Sequence, residues 1–328
     1  MLHYVIKRVL YMIPTMIAIS IVAFLLIQLP PGDFVTSLAA QMSAQGDSVD
    51  PSTLAMLRRQ YGLDQPIWVQ YWIWISNIVF RGDFGRSFDF DVPVSDLLWA
   101  RLGLTFVLAF TALVFTWLVA LPVGIYSAVR KYSVGDYVAT FLSFVGLAVP
   151  NFLLALVLMY IALQLFGVSI DGLYSAQYAN APWSWEKFLD LAQHLVVPVI
   201  VLASSGIAAL VRIMRANLLD ELFKPYVTTA RAKGLSEWRL IAKYPVRAAL
   251  NPFVSTIGWT LPELVSGATV TAIVLNLPTT GPLLLRALIA QDVYLAGAMI
   301  LMLSVLTVIG TLISDLLLAW LDPRIRYR

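Results

Sequence analysis

Few residues in this chain are equipped for chemistry, and they are scattered. The sequence has no cysteine, which removes disulfides, thiol catalysis and thiolate metal sites. Its two histidines, His3 and His194, lie far apart along the chain, so no histidine-based metal centre is expected. No Gly-x-x-x-x-Gly-Lys-Ser/Thr loop is present to cradle phosphates, and neither His-Glu-x-x-His nor Gly-x-Ser-x-Gly occurs. Paired aspartates inside an apolar segment are also missing, so catalytic, cofactor-binding and metal sites are all expected to be absent. The clearest ionisable residue within an apolar run is Glu263. A charge at that depth costs at least about 2.5 kcal/mol on insertion scales, so it must face a cavity or a partner. Two roles fit it: a residue on a solute path or gate, or a structural contact beside Pro262.

A second concentration of functional groups is basic and lies at residues 226–247. It reads as two short amphipathic helices separated by Gly234, with Ser236 as N-cap of the second and Arg239 rather than an acid three residues on. A bent, cationic helix pair suits docking into a groove on another protein. A positively charged loop is equally what membrane topology requires on the cytoplasmic side.

The elements that must position these groups are membrane spans. Of the 328 residues, 60% are hydrophobic and only 12% charged, about half the charged fraction of an ordinary soluble domain. Apolar runs long enough to cross a bilayer occur near 9–29, 102–129, 137–166, 195–214, 253–277 and 293–321, each close to the roughly 20 residues a span needs. The first continues into Leu29-Pro30-Pro31-Gly32-Asp33 rather than a small-residue cleavage site, and reads as a retained helix. Pro122, Pro150, Pro198 and Pro262 fall inside or near the ends of these runs, where neighbouring helices can re-satisfy freed backbone groups. Most of the 22 lysines and arginines lie on the side of both termini, so both termini are expected to be cytoplasmic. The net charge of +3 therefore reflects topology, not nucleic acid. Asp315 and Arg212, near cytoplasmic span ends, read as ion-paired or snorkelling residues. The long outer loop, 30–100, contains a short helix over 51–61, capped by Asp50 and stopped by Gly62. Its aromatic stretch 69–75 either packs the loop onto the bundle, lies at the membrane interface or forms a lip around an outer mouth.

The basic loop carries a family resemblance. Thr228-Thr229-Ala230 followed by Arg231, Ala232, Lys233 and Gly234 resembles the Glu-Ala-Ala-x-x-x-Gly loop of binding-protein-dependent ABC permeases, with Thr228 at the usual glutamate position. The run on through Leu235, Ser236 and Glu237 is similar to the dipeptide/oligopeptide branch. So are Tyr4-Val5-Ile6-Lys7-Arg8, Tyr61-Gly62-Leu63-Asp64-Gln65-Pro66, Arg81-Gly82-Asp83-Phe84-Gly85-Arg86-Ser87 and Leu321-Asp322-Pro323-Arg324-Ile325-Arg326-Tyr327, whose order matches the branch's first permease subunit.

The resemblance implies an all-α integral membrane protein with six transmembrane helices, the type I importer permease (MetI-like) fold, and a long outer loop after the first helix. Residues 1–100 would form the first span and outer loop, and 101–328 a five-helix core with its ATPase-coupling loop at 219–250. The implied partners are a second homologous permease, two ATPase subunits that hold ATP and magnesium, a periplasmic or lipid-tethered solute-binding protein, and membrane lipid. The chain itself would bind no cofactor and catalyse no reaction. Its place would be the bacterial inner membrane. Glu263 and Asn276 are the candidates for the translocation path. Ala272 stands where the branch usually has an acid and Thr279 where it has a glycine; oligosaccharides, opines and metal chelates stay open beside peptides as cargo. A membrane enzyme or a passive channel are the competing classes, and neither would need the loop around Gly234.

Overall fold

The computed structural model describes residues 2–28, 35–36, 39, 50–60, 62–167, 170–178, 181–256 and 269–321. Among these the regular structure is helical, with one isolated antiparallel bridge between Arg86 and Pro93. The helices are α1 (Leu2–Gln28), α2 (Pro51–Gln60), α3 (Ile67–Arg81), α4 (Val94–Val129), α5 (Val134–Ala148), α6 (Asn151–Phe166), α7 (Trp185–Leu222), α8 (Pro225–Ala232), α9 (Glu237–Lys243), α10 (Pro245–Ser255), α11 (Thr269–Val274), α12 (Thr280–Ile289) and α13 (Val293–Leu321).

Four of them, α1, α4, α7 and α13, are long and apolar enough to cross a bilayer. The run expected as a single span over 137–166 is instead a pair, α5 and α6, bent by 104°. Pro150 is the cause. It pushes Val149 into extended geometry, φ −86° and ψ 119°, as a residue before proline prefers. The Val149 N–H still closes on Val145, and Leu153 and Leu154 then take the Pro150 carbonyl as the first acceptor of α6. Counting the bent pair as one span gives five. The fifth expected run, 253–277, holds Pro262 and Glu263 in a stretch that lies outside the described residues; its flanks are α10 and α11. Pro14, Pro122 and Pro198 sit within continuous helices. The short helix expected over 51–61 is α2: the Asp50 carboxylate accepts from Ser52 N at 3.1 Å, and Gly62 and Leu63 close back on Arg59 and Arg58.

The described residues form two compact units. The first comprises 1–8, 106–278 and 307–328. Its core gathers Ala120 and Ala128 of α4, Leu210, Met214 and Leu218 of α7, and Phe253 of α10, with the Trp117 and Phe253 rings edge-on at 4.8 Å. Small residues let α5 and α7 approach: a Cβ at Gly146 would lie 3.2 Å from Ala208 Cβ. Arg8 donates to Asp315 at 2.5 Å, the ion pair expected of Asp315, and Arg212 lies over the Phe144 ring at 5.5 Å.

The second unit comprises 9–105 and 279–306. Phe84, Leu98, Leu283, Leu295 and Met299 form its core. Asp292 caps α13 through the Leu295 N–H at 3.0 Å. The same carboxylate accepts from Ser87 Oγ at 2.6 Å, Phe88 N at 2.7 Å and Asp89 N at 3.2 Å. These bonds give the 81–87 motif a structural reason. Gly85, at φ +82°, also lies so close to Tyr294 that a Cβ would stand 2.8 Å from that ring, so only glycine fits.

Candidate functional site

The basic loop is built between α7 and α10 in the first unit. Pro225 opens α8 at a position where its missing N–H costs nothing. Val227 and Ala230 of α8 and Leu240 and Ile241 of α9 are buried against one another, with Leu222, Leu235 and Val246 packed around them. The loop thus has its own small core, and Leu222 and Val246 fasten that core to the end of α7 and the start of α10. Thr229 spends its hydroxyl on the Pro225 carbonyl at 2.9 Å.

Gly234 makes the bend. Its φ is +79°, its N–H bonds Arg231 O at 3.0 Å, and the next N–H, of Leu235, reaches Ala230 O at 3.4 Å. Those two bonds are the Schellman closure of a helix, which favours glycine at the left-handed position. A Cβ built on Gly234 would meet nothing within 4 Å in this chain. Within this chain the backbone conformation alone accounts for glycine. Ser236 does occupy the N-cap of α9, but without a side-chain capping bond.

The outward face is charged and aromatic. Thr228, Arg231, Ala232, Lys233, Gly234, Ser236, Glu237 and Arg239 are exposed, and Trp238 is 72% exposed. Arg231 grips Glu237 through two guanidinium nitrogens, bridging α8 and α9 across the bend. That bond holds the Glu237 carboxyl below the usual carboxylate range. At the start of the loop Glu221 accepts from Lys224 Nζ at 2.5 Å and from the Tyr226 hydroxyl. Burial, with the Glu221 hydrogen bond second, pushes the Tyr226 phenol well up.

The other candidates lie elsewhere. Glu263 falls outside the described residues. Asn276 is exposed and ends α11 in the left-handed region, φ +50°; its N–H bonds Ile273 O and the Leu277 N–H bonds Ala272 O, the same closure as at Gly234. Asparagine is a common second choice for that conformation, so the backbone accounts for it without a solute. Ala272 is buried, and Thr279 is the buried N-cap of α12.

Sequence reasoning missed an ion pair between α5 and α7. The Asp136 carboxylate, at the start of α5, accepts from Arg215 of α7. Ser133, three residues before Asp136, caps α5 at 3.2 Å. That Ser-x-x-acid spacing was a readable helix start; the arginine partner was not.

The chain matches the model of a family described as binding-protein-dependent transport system inner membrane component over residues 120–327. A companion model of the same components' N-terminal region matches residues 1–109. It is 36% identical, over the whole of both chains, to the oligopeptide transport system permease protein AppB of Bacillus subtilis (strain 168). It is 33% identical, again over the whole of both, to the glutathione transport system permease protein GsiC of Escherichia coli (strain K12). With the chain matched end to end and its helices apolar enough to span a bilayer, it belongs to the binding-protein-dependent transport system inner membrane components, multi-pass ABC permeases of the MetI-like fold.

Proposed function

We propose that this chain is one of two pore-forming permease subunits of an ATP-driven importer of short peptides. The observation that carries the reading is the full-length similarity to permeases named for oligopeptide and glutathione transport; glutathione is itself a short peptide. A second, homologous permease completes the pathway, two ATPase subunits supply ATP hydrolysis, and a solute-binding protein delivers cargo. The chain has no phosphate-cradling loop of its own and works as a non-catalytic subunit. Both termini and the loop around Gly234 face the cytoplasm.

In this mechanism the 228–237 segment seats in a cleft of one ATPase. Closure of the ATPase pair on ATP moves the seated α8–α9 core. Its attachment through Leu222 and Val246 passes the displacement to α7 and α10. α10 leads directly into the stretch that holds Glu263, proposed to line the pathway. Each conformation is selected by differential contacts with ATP or with the loaded binding protein, because a ligand shifts an equilibrium only by its differential affinity. The test is ATP-dependent uptake of labelled di- to pentapeptides by the reconstituted transporter with its binding protein. Uptake that saturates with peptide and stops without ATP is expected. Uptake of an oligosaccharide or opine with no peptide uptake would overturn the cargo assignment.

A further inference from the structure

The helix α3 carries a wide apolar surface, and its unit covers only part of it. On the covered face Tyr71, Trp74 and Ile78 pack with Phe24 of α1 and Leu301 of α13. The Phe24 ring lies 5.5 Å from Tyr71 and 5.6 Å from Trp74. The Tyr71 hydroxyl shares a hydrogen bond with Ser20 Oγ at 2.8 Å, and Gln28 Nε2 donates to Gln70 Oε1 at 3.1 Å. Beside that face, about 100° round the helix, Trp68, Trp72 and Val79 are 71%, 64% and 65% exposed. With 3.6 residues per turn, these three fall within about 40° of one another. Phe80, also strongly exposed, widens the apolar surface.

An apolar surface of this width, left uncovered by its own unit, belongs inside protein or in lipid. The depth of α3 decides between them. Its partners Ser20, Phe24 and Gln28 are spaced i, i+4, i+8 on one face of α1 and cover about 12 Å of rise. They lie at the end of the apolar span Ile6–Leu25 and just beyond it. Val293 and Tyr294, which open α13 and its apolar span, pack on the same cluster. The helix α3 therefore runs at the level where α1 and α13 leave the hydrocarbon. Its neighbour α1 is a peripheral span: only 17% of its apolar window is buried, and Ile17, Ile21 and Leu25 are exposed. Tryptophan is enriched at this depth, where an apolar ring with one polar N–H suits the headgroup boundary. The polar ends agree, with Gln65 before the helix and Arg81 closing it at the left-handed Gly82 cap.

We infer that α3 is an interfacial helix whose Trp68–Trp72–Val79 face lies in the phospholipid bilayer, at the boundary between headgroups and acyl chains. Lipid, through this face, holds the outer segment at a fixed depth beside α1 and α13. The helix neither crosses the bilayer nor stands clear of it.

The test uses single spin-labelled cysteines in this cysteine-free chain, within the complete transporter in nanodiscs of phosphatidylethanolamine and phosphatidylglycerol. Collision rates with oxygen, which partitions into lipid, are compared with those of a water-soluble nickel chelate. Ile21→Cys on α1 is the lipid reference and Asp64→Cys the aqueous one. At Trp72→Cys and Val79→Cys the oxygen-to-nickel ratio should approach that of position 21 and exceed that of position 64 several-fold. A ratio like that of position 64 means an aqueous surface and overturns the inference. Shielding from both reagents means a covering protein and also overturns it. Because a label can disturb insertion, the second measurement keeps the native side chains: lipids brominated near the headgroup should quench tryptophan emission less in Trp68→Phe/Trp72→Phe than in the parent. Equal quenching in the two chains counts against the assignment.

Discussion

Asp136 and Arg215 join the first turn of α5 to α7 through two parallel bonds, Nε to Oδ1 at 2.7 Å and Nη2 to Oδ2 at 2.8 Å. The Tyr132 N–H also reaches Oδ2, at 2.9 Å, and Tyr132 sits at φ +65°. The left-handed conformation costs a side-chain-bearing residue roughly 1–2 kcal/mol, so the carboxylate holds a strained turn between α4 and α5 as well as a helix contact. Replacing the acid leaves the guanidinium without its anion. Asp136→Asn is expected to destabilise the purified complex by about 2 kcal/mol, less than for a fully buried pair because Arg215 keeps about a quarter of its surface exposed. Arg215→Lys should cost less but not nothing, since lysine cannot form the fork. Thermal unfolding of the complex reads both. A melting point of Asp136→Asn within about a degree of the parent would deny the pair a structural role.

Gly234 separates a conformational requirement from a docking one. The left-handed φ predicts that Gly234→Asn is tolerated, because asparagine adopts that region readily, while Gly234→Ala costs roughly 1–2 kcal/mol locally. A cleft on an ATPase subunit predicts the opposite order, with loss following side-chain size and Asn worse than Ala. Gly234→Asp adds a negative charge beside Arg231 and Lys233 as well. It should leave insertion and pairing with the sister permease intact while ATPase co-purification or ATP-driven uptake falls at least about tenfold, the equivalent of 1.4 kcal/mol. Normal values for both in Gly234→Asp would remove the coupling role.

Asp292 predicts a pH slope. Burial pushes its carboxyl above the ordinary range, and the bonds from Ser87, Leu295, Asp89 and Phe88 only partly offset this. The folded protein therefore holds that proton more tightly than the unfolded chain does. The contribution to stability is largest below the ordinary carboxylate range and declines as pH rises through the raised value. Asp292→Asn lacks the titration. It also turns an amide N–H₂ toward backbone donors, which should cost about 1–3 kcal/mol near neutral pH. The parent should lose stability relative to the variant as pH rises from the ordinary carboxylate range, about 4, toward neutral. Parallel unfolding profiles for the two proteins over that range would show that Asp292 does not titrate there.

Sidedness is open to a direct measurement, because the chain offers no background thiol. Asp64→Cys, in the outer segment, should react with an impermeant maleimide on intact cells. Ala242→Cys, exposed on α9, should react only after permeabilisation. Labelling of both from outside would reverse the placement of the Gly234 loop.

Much of the frame was legible because lipid imposes simple rules. Span-length apolarity marked α1, α4, α7 and α13, and turn chemistry marked Asp50, Gly62 and Gly234. The break at Pro150 was not legible: apolar residues continue on both sides of it, and a bilayer demands that of a straight span and a bent pair alike. Nor could Asp292 be singled out, since its partners Ser87, Phe88 and Asp89 lie some two hundred positions earlier. The left-handed backbone of Asn276, φ +50°, was not legible either, because nothing in its local sequence marks that conformation.

The separation of Ser87 from Asp292 has a consequence for how the chain is made. Their bond links positions 205 residues apart. At translation rates of about 5–20 residues per second, the acceptor emerges roughly 10–40 s after its donors. Through that interval the turn at 87–89 has no carboxylate to fold around, whatever has already been inserted. The last span is thus the closing piece of the outer segment. A ribosome that stops before residue 292 leaves that segment without the carboxylate that closes its turn.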